Sequence, residues 1–306
     1  MLPITGTFLD EISHDIPHQN WGRREWDADF AWMKKMGIDT VILIRCGHKR
    51  WITYPSKVLA EREGAYTPPI DLVALFLELA EKHGIQFFFG LYDSGKYWWE
   101  QGDFEKEVDI NLRVIDEVWA NYGHYPAFKG WYLCQEVSRK TGAIIDLYAQ
   151  LGNLPTLISP YIDGNKAILS SQSSLTKAEV ISIEQHEKDW KEIFSGIQSA
   201  VDIVAFQDGH VDYHELAHYF AINKQLADSF NMQCWTNAES FDRDMPIKFL
   251  PIKFEKLLLK LKAAKEAGLD KAITFEFSHF MSPQSAYPQA HHLFNRYMEQ
   301  LEQTHE

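Results

Sequence analysis

The chain is poor in cysteine, with three among 306 residues. An odd, sparse count supports no disulfide framework, and without C-x-x-C spacing there is no zinc-ribbon or dithiol signature. Basic residues are also short. Lys and Arg number 30 against 43 Asp and Glu, a net charge of −13. A surface this acidic repels phosphate backbones and argues against nucleic acid as a partner. No stretch approaches the ~18 apolar residues of a spanning helix, so no membrane segment is expected. The opening MLPITGTFLD lacks the charged and apolar regions of a signal peptide. With few cysteines, it leads to the expectation of a cytoplasmic protein, or a secreted one if a leader has been removed. No G-x-G-x-x-G or G-x-x-x-x-G-K-[ST] follows the first strand pattern, which removes the common phosphate cradles.

What is abundant is ring surface. Ten Trp, 13 Tyr and 19 Phe make up 14% of the chain, within a hydrophobic content of 45%. That content suffices for a large core. The rings serve either that core or a cleft that stacks on the C–H faces of sugars.

Short apolar runs alternate with helical stretches along the whole chain. Eight read as strands: Ile4–Leu9, Thr40–Ile44, Gln86–Leu91, Gly130–Cys134, Thr156–Ser159, Asp202–Phe206, Met232–Trp235 and Ala272–Phe275. Several are apolar throughout, as strands buried on both faces must be. The joints repeat too. Gly37, Gly84 and Gly268 each follow a basic last helical turn and precede a strand, the pattern of a left-handed helix stop. Asn231 takes that place before the seventh strand. Pro69, Pro251 and Pro283 read as first-turn helix residues. Strands alternating with helices imply a parallel sheet, and eight units with no composition break imply one (β/α)8 barrel over 1–306. The fourth helix, near Thr141–Leu151, is short, and Gly142 sits awkwardly at its start. A long polar stretch, about 161–185, reads as an active-site loop after the fifth strand.

Chemistry in such barrels sits just past the strand ends. Those positions hold Asp10, Glu11, Arg45, Tyr92, Asp93, Gln135, Glu136, Tyr161, Asp163, Gln207, Asp208, His210, Asn237, Glu239, Glu276 and His279. Trp131, Trp235 and Phe277 lie among them. Carboxylates, amides and rings suit a neutral polyhydroxylated ligand better than a phosphate, with Arg45 as the main cation. Glu136 ends strand four and Glu239 ends strand seven, on opposite sides of the mouth. Glycoside hydrolysis needs one carboxyl to protonate the leaving oxygen and a second to attack the anomeric carbon or activate water.

The chain resembles the clan of barrel glycosidases with an acid/base Glu after strand four and a nucleophilic Glu after strand seven. It resembles more closely a little-characterised family of glycoside-hydrolase barrels, through the opening GTFLDE and the segment GWYLCQE. The resemblance implies Glu136 as acid/base, Glu239 as nucleophile, and Arg45 near that nucleophile, keeping it ionised. It departs from the clan at three places. Gln135 stands where the clan has Asn, Gln207 where it has Tyr, and Phe277 where it has Trp. Glu276 is therefore a rival nucleophile, and Glu11 a further carboxylate with either a mechanistic or a hydroxyl-binding role.

His214-Glu215-Leu216-Ala217-His218 matches the H-E-x-x-H zinc motif. On a helical wheel, Leu216, Phe220, Ala227 and Phe230 form the buried stripe, and both histidines fall opposite it. The motif reads as a decoy on an outer helix. A mouth metal site from His48, His210 or His279 has no supporting spacing. Cys46, Cys134 and Cys234 read as small core residues, and His291 and His292 as surface.

The reading is a retaining glycoside hydrolase of a neutral oligo- or polysaccharide, without metal or cofactor. Glu136 and Glu239 are its catalytic pair. Glu11, Arg45, Tyr92, Gln135, Tyr161, Gln207, Trp235, Asn237, Glu276 and His279 are its binding residues. The alternatives are a sugar-binding barrel without catalysis and a metal-dependent barrel enzyme.

Overall fold

Eight parallel strands close into a barrel: β1 (Ile4–Leu9), β2 (Thr40–Leu43), β3 (Gln86–Gly90), β4 (Phe128–Leu133), β5 (Thr156–Ile158), β6 (Ile203–Gln207), β7 (Gln233–Glu239) and β8 (Lys271–Phe275). The computed structural model describes residues 1–13, 16–152, 155–164, 180–243 and 249–305. Each strand hydrogen-bonds its sequence neighbour, and β1 pairs β8 through Ile4–Ala272 and Thr7–Thr274 to close the ring. Every expected strand is present. β4 and β7 are longer than the hydrophobic runs suggest, because Phe128, past an irregularity at Lys129, and the polar Thr236–Glu239 still join the ladder.

The helix stops occur as expected. Gly37, Gly84 and Gly268 have φ of 97°, 63° and 72°, and Asn231 has φ of 57°. These are left-handed values that end a helix and turn the chain into the next strand. The proline expectation fails. Helices start at Leu72 and Phe254, after Asp71 and Lys253, and among the described residues only Pro288 opens a helix. The Asp71 carboxylate caps Ala74 N–H at 2.9 Å, while Pro251 pairs in a two-residue strand with Phe241. The fourth helix is Ile144–Leu151, and Gly142, at φ 49°, lies before it. Most of the expected loop at about 161–185 falls on 165–179, outside the described residues.

Alternation along each strand sends side chains in turn to the barrel interior and the helix layer. Tyr132 packs inside against Phe8 at 5.1 Å, while Trp131 packs against Phe89 and Phe128. Cys46, Cys134 and Cys234 are buried and free, as core residues.

Two features matter for the mouth. The loops after β2 and β3 form a small crown sheet, in which Gly47–His48 runs antiparallel to Trp51–Ile52 and parallel to Tyr92–Asp93. The β1/β8 seam is stitched by side chains. Tyr297 Oη accepts from Ile4 N–H at 2.7 Å, and Gln19 Nε2 donates to Ser278 C=O at 2.8 Å. Ser278 and Ser282 both donate to the buried Asp29 carboxylate, on the helix Arg23–Met36.

Candidate active site

Glu136 lies three residues past β4, where alternation sends it into the mouth above Tyr132. Tyr132 Oη donates to Glu136 Oε1 at 2.6 Å, and the Gln207 side chain adds a second hydrogen bond. Burial pushes the Glu136 carboxyl above its ordinary value. Arg45 and the two hydrogen bonds oppose this and do not win.

Glu239 is the last residue of β7 and only 3% exposed. Burial alone would raise its carboxyl, but Arg243 overrides it. Arg243 Nε and Nη2 donate to the two carboxylate oxygens at 2.9 and 2.8 Å. With Lys260 and His210 adding positive charge, Glu239 is held down at about 2. Behind it, Asp208 Oδ1 accepts from Glu239 N–H at 3.1 Å, and Lys260 Nζ donates to Asp208 Oδ1 at 2.7 Å and to the Glu239 carbonyl at 3.2 Å. A buried ion pair thus grips the Glu239 backbone on both sides.

Glu136 and Glu239 line one cavity of about 170 Å³, together with Arg45, Gln207, Asn237 and Arg243. Asn237 donates to Ser159 Oγ at 3.1 Å, and its buried Oδ1 has no hydrogen-bond partner among the described residues. Tyr161 stands beside His210 on the same wall, and pairs with Gln207 just past the strand ends. Gly209 is required here. A Cβ on it would lie 2.1 Å from Glu239 Oε2. Gly209→Ala is expected to displace that carboxylate from Arg243 and cut turnover at least tenfold with little change in melting temperature; unchanged kinetics would show that Glu239 has room to spare.

Several expected binding residues lie elsewhere. Gln135 and Tyr92 point away from the mouth, one residue out of phase with Glu136 and Asp93. Gln135 Nε2 donates to Tyr92 C=O and to Glu107, each at 2.9 Å, and Tyr92 Oη donates to Lys49 C=O at 2.7 Å. Trp235 faces inward but sits four residues below Glu239, at the opposite end of the barrel, with the Lys271 ammonium 5.1 Å from its ring. Trp131 and Phe277 are buried in the core. Glu276 is fully buried. Its oxygens accept from Ser278 N–H at 3.1 Å and from His279 N–H and Nδ1 at 2.6 and 2.5 Å. Glu276 caps the turn that follows it and is not among the residues that line the cavity with Glu136 and Glu239. Arg45 lines the cavity, but its ion pair is with Asp93 at 3.0 Å. Arg243, not Arg45, holds Glu239 ionised. Glu11 lies on a neighbouring cavity, accepts from Gln19 N–H at 3.0 Å, and is pushed by burial up to about 7.

His279 Nε2 lies 2.7 Å from Pro17 C=O, so both ring nitrogens are engaged. Burial opposes its charge, but Glu276 wins and holds His279 up at about 9. The sign follows from linkage. The folded value lies above the ordinary 6.5, so this stabilisation is complete below pH ~6.5 and fades as pH rises through ~9. It is on the order of 3 kcal/mol. Urea midpoints should fall between pH 6.5 and 9.5, and His279→Gln should flatten that fall. An equally steep fall in the variant would assign it to another group.

The zinc motif does not assemble. His214 precedes the helix Leu216–Ser229, His218 lies within it, and both are exposed. The helix buries Leu216, Phe220 and Ala227, as the wheel indicates, and adds Tyr219, Asn223 and Leu226. Asp212, His214 and Glu215 do bring ligand atoms within 4.8 Å of one another, on the loop outside the cavity. Among the described residues, His48, His210 and His279 form no such group with carboxylates. His291 and His292 are exposed.

Sequence reading missed Arg243 and Lys260, and with them the crown residues Trp98 and Trp99, and weighed His48 only as a metal ligand. Glu239 and Arg243 are four apart in extended chain, a spacing that carries no pattern there.

One family matches the chain over residues 4–287, and that match decides the kinship. The chain belongs to the DUF4434 family. That family is described as a domain of unknown function. A similar solved structure is that of a putative alpha-L-fucosidase from Bacteroides thetaiotaomicron, 59% identical, with a TM-score of 0.92 over 97% of this chain and 92% of that one. An endo-1,4-beta-D-mannanase from Thermotoga petrophila is 11% identical, with a TM-score of 0.56 over 97% and 99% of the two chains. At that identity the likeness is one of fold. No curated protein matches the DUF4434 chain. No helix among its described residues is long and apolar enough to cross a membrane.

Proposed function

We propose that the protein is a retaining glycoside hydrolase, with Glu136 as acid/base and Glu239 as nucleophile, acting on a neutral glycan. One observation carries the reading. Two carboxylates share a cavity while their surroundings drive their proton affinities in opposite directions, Glu136 up and Glu239 down to about 2. That split assigns an acid and an anion to one site. The similar structure described as a putative alpha-L-fucosidase supports the same class of chemistry.

In this mechanism Glu136 keeps its proton on the oxygen not engaged by Tyr132 and gives it to the glycosidic oxygen as that bond breaks. Glu239 attacks the anomeric carbon with a lone pair that Arg243 leaves unused. Water then attacks the same carbon, gives its proton to Glu136 and releases Glu239. Asn237 Oδ1 accepts a sugar hydroxyl, and Arg45 limits how far Glu136 rises.

The test is product formation by NMR across aryl glycosides, the α-L-fucoside among them, with a pH profile. Activity should show no acid limb above pH ~3, because Glu239 stays ionised there, and should fall on the alkaline side as Glu136 loses its proton. Sugar binding without any product would instead favour a non-catalytic barrel.

A further inference from the structure

Large apolar side chains are costly to leave in water unless something covers them. Seven are well exposed among the described residues, and four of these lie on one side of the mouth: Trp51 (64%), Tyr66 (45%), Ile70 (39%) and Trp99 (62%). They are held in place rather than loosely displayed. The crown sheet fixes Trp51 opposite His48. The Trp51 and Tyr66 rings lie 5.0 Å apart, and the Arg50 guanidinium sits 4.2 Å from the Tyr66 ring. Arg50 also donates to Gly64 C=O at 2.7 Å, and Tyr66 N–H to Arg50 C=O at 2.8 Å. On the other flank, Trp98 Nε1 donates to Asp93 at 3.1 Å and packs edge-on against Trp99. Ordering these rings beforehand lowers the entropy that binding must overcome.

Two cavities follow the crown. One, of about 410 Å³, runs under Trp98 and Trp99 and shares Arg45 and Glu136 with the catalytic cavity. The other, of about 750 Å³, is lined by Glu11, Trp21, Trp51 and Ile70, and shares His48 and Lys49 with the first. The three cavities adjoin one another: the Trp99 cavity meets the catalytic one at Arg45 and Glu136, and the Trp51 cavity meets the Trp99 cavity at His48 and Lys49 and the catalytic one at Ser13.

We propose that the crown is a two-part sugar platform, with Trp99 holding the unit beside the cleaved bond and Trp51 holding units further along, so that the substrate is a neutral glycan chain longer than a disaccharide. Flat rings edged by polar groups match the alternating C–H faces and hydroxyls of such a chain. The inference rests on the glycosidase reading for the direction of the chain, but its test does not need turnover.

The test is calorimetric titration of the Glu136→Gln protein with mannopentaose, laminaripentaose, cellopentaose and fucosylated xyloglucan oligosaccharides, and with their constituent monosaccharides. At least one chain should bind tenfold or more tighter than its monosaccharide. Trp51→Ala and Trp99→Ala should each remove about tenfold from the chain's affinity and less than twofold from the monosaccharide's. Trp51 is mostly solvent-exposed, so its replacement leaves folding intact, and a melting curve checks this for both variants. Equal binding of chain and monosaccharide, indifference to both tryptophans, or no binding by any probe at millimolar concentration overturns the platform. Tryptophan-dependent chain binding in a protein without hydrolytic activity would keep the platform and discard the glycosidase.

Discussion

Glu239→Gln should lose about 10³-fold or more in kcat on every aryl glycoside that the protein cleaves, whatever the leaving group. Glu136→Gln should lose as much only where the leaving group is a poor one. A dinitrophenolate departs without a proton, so removing the acid matters least there. This asymmetry separates the two roles. Azide makes it sharper. It can take the place of the missing nucleophile in Glu239→Ala and should yield a glycosyl azide of inverted configuration, visible by NMR. In Glu136→Ala it replaces the water and should yield the retained one. Equal losses for both variants across leaving groups would end the assignment. The Glu136→Gln melting curve should stay close to the parent, because its amide oxygen still accepts from Tyr132. Glu239→Gln should melt lower, because its amide nitrogen faces one of the two Arg243 N–H groups and cannot accept from it.

The second large effect lies behind the site. Lys260 and Asp208 are both buried, and each neutralises the other. Lys260→Met strands a carboxylate in the interior, and breaking such a pair costs about 3–5 kcal/mol. Asp208 should then take up a proton. Glu239 should rise from about 2, since Lys260 is among the charges that hold it down. Chemical denaturation and the acid limb of the rate profile read the two consequences separately. The double variant Asp208→Asn/Lys260→Met removes both charges and keeps an acceptor for Glu239 N–H. It should recover most of the lost stability, and the cycle yields the coupling energy. A fully stable Lys260→Met protein would show that water already reaches the pair.

The barrel was legible because several of its strands are buried on both faces and so read as unbroken apolar runs, and four of them, β2, β3, β7 and β8, are announced by a glycine or asparagine stop. The two carboxylates were legible as mouth residues from position alone, Glu136 three residues past β4 and Glu239 the last residue of β7. What failed was telling inward from outward among neighbours. Gln135 and Tyr92 sit beside mouth residues, yet the Gln135 amide turns toward the helix Phe104–Tyr122, where Glu107 receives it, and the Tyr92 hydroxyl is taken up by Lys49 C=O. Trp131 and Trp235 looked like cleft rings because core and cleft draw on the same residue types. The rings exposed at the mouth, Trp51 and Trp99, belong to loops whose pairing no local pattern announces. Arg243 was hidden for a related reason. Its partner is reached through a turn of extended chain, not along a helix face.

The stitched seam has a consequence for how the protein is made. Strand β1 leaves the ribosome well ahead of Ser278, Ser282 and Tyr297, which tie it and the helix Arg23–Met36 in place. A nascent chain therefore carries an open sheet edge until those residues emerge, a period in which unpaired strands aggregate readily. Shortening the chain ahead of Tyr297 should be felt first at its other end, as faster amide exchange at Ile4.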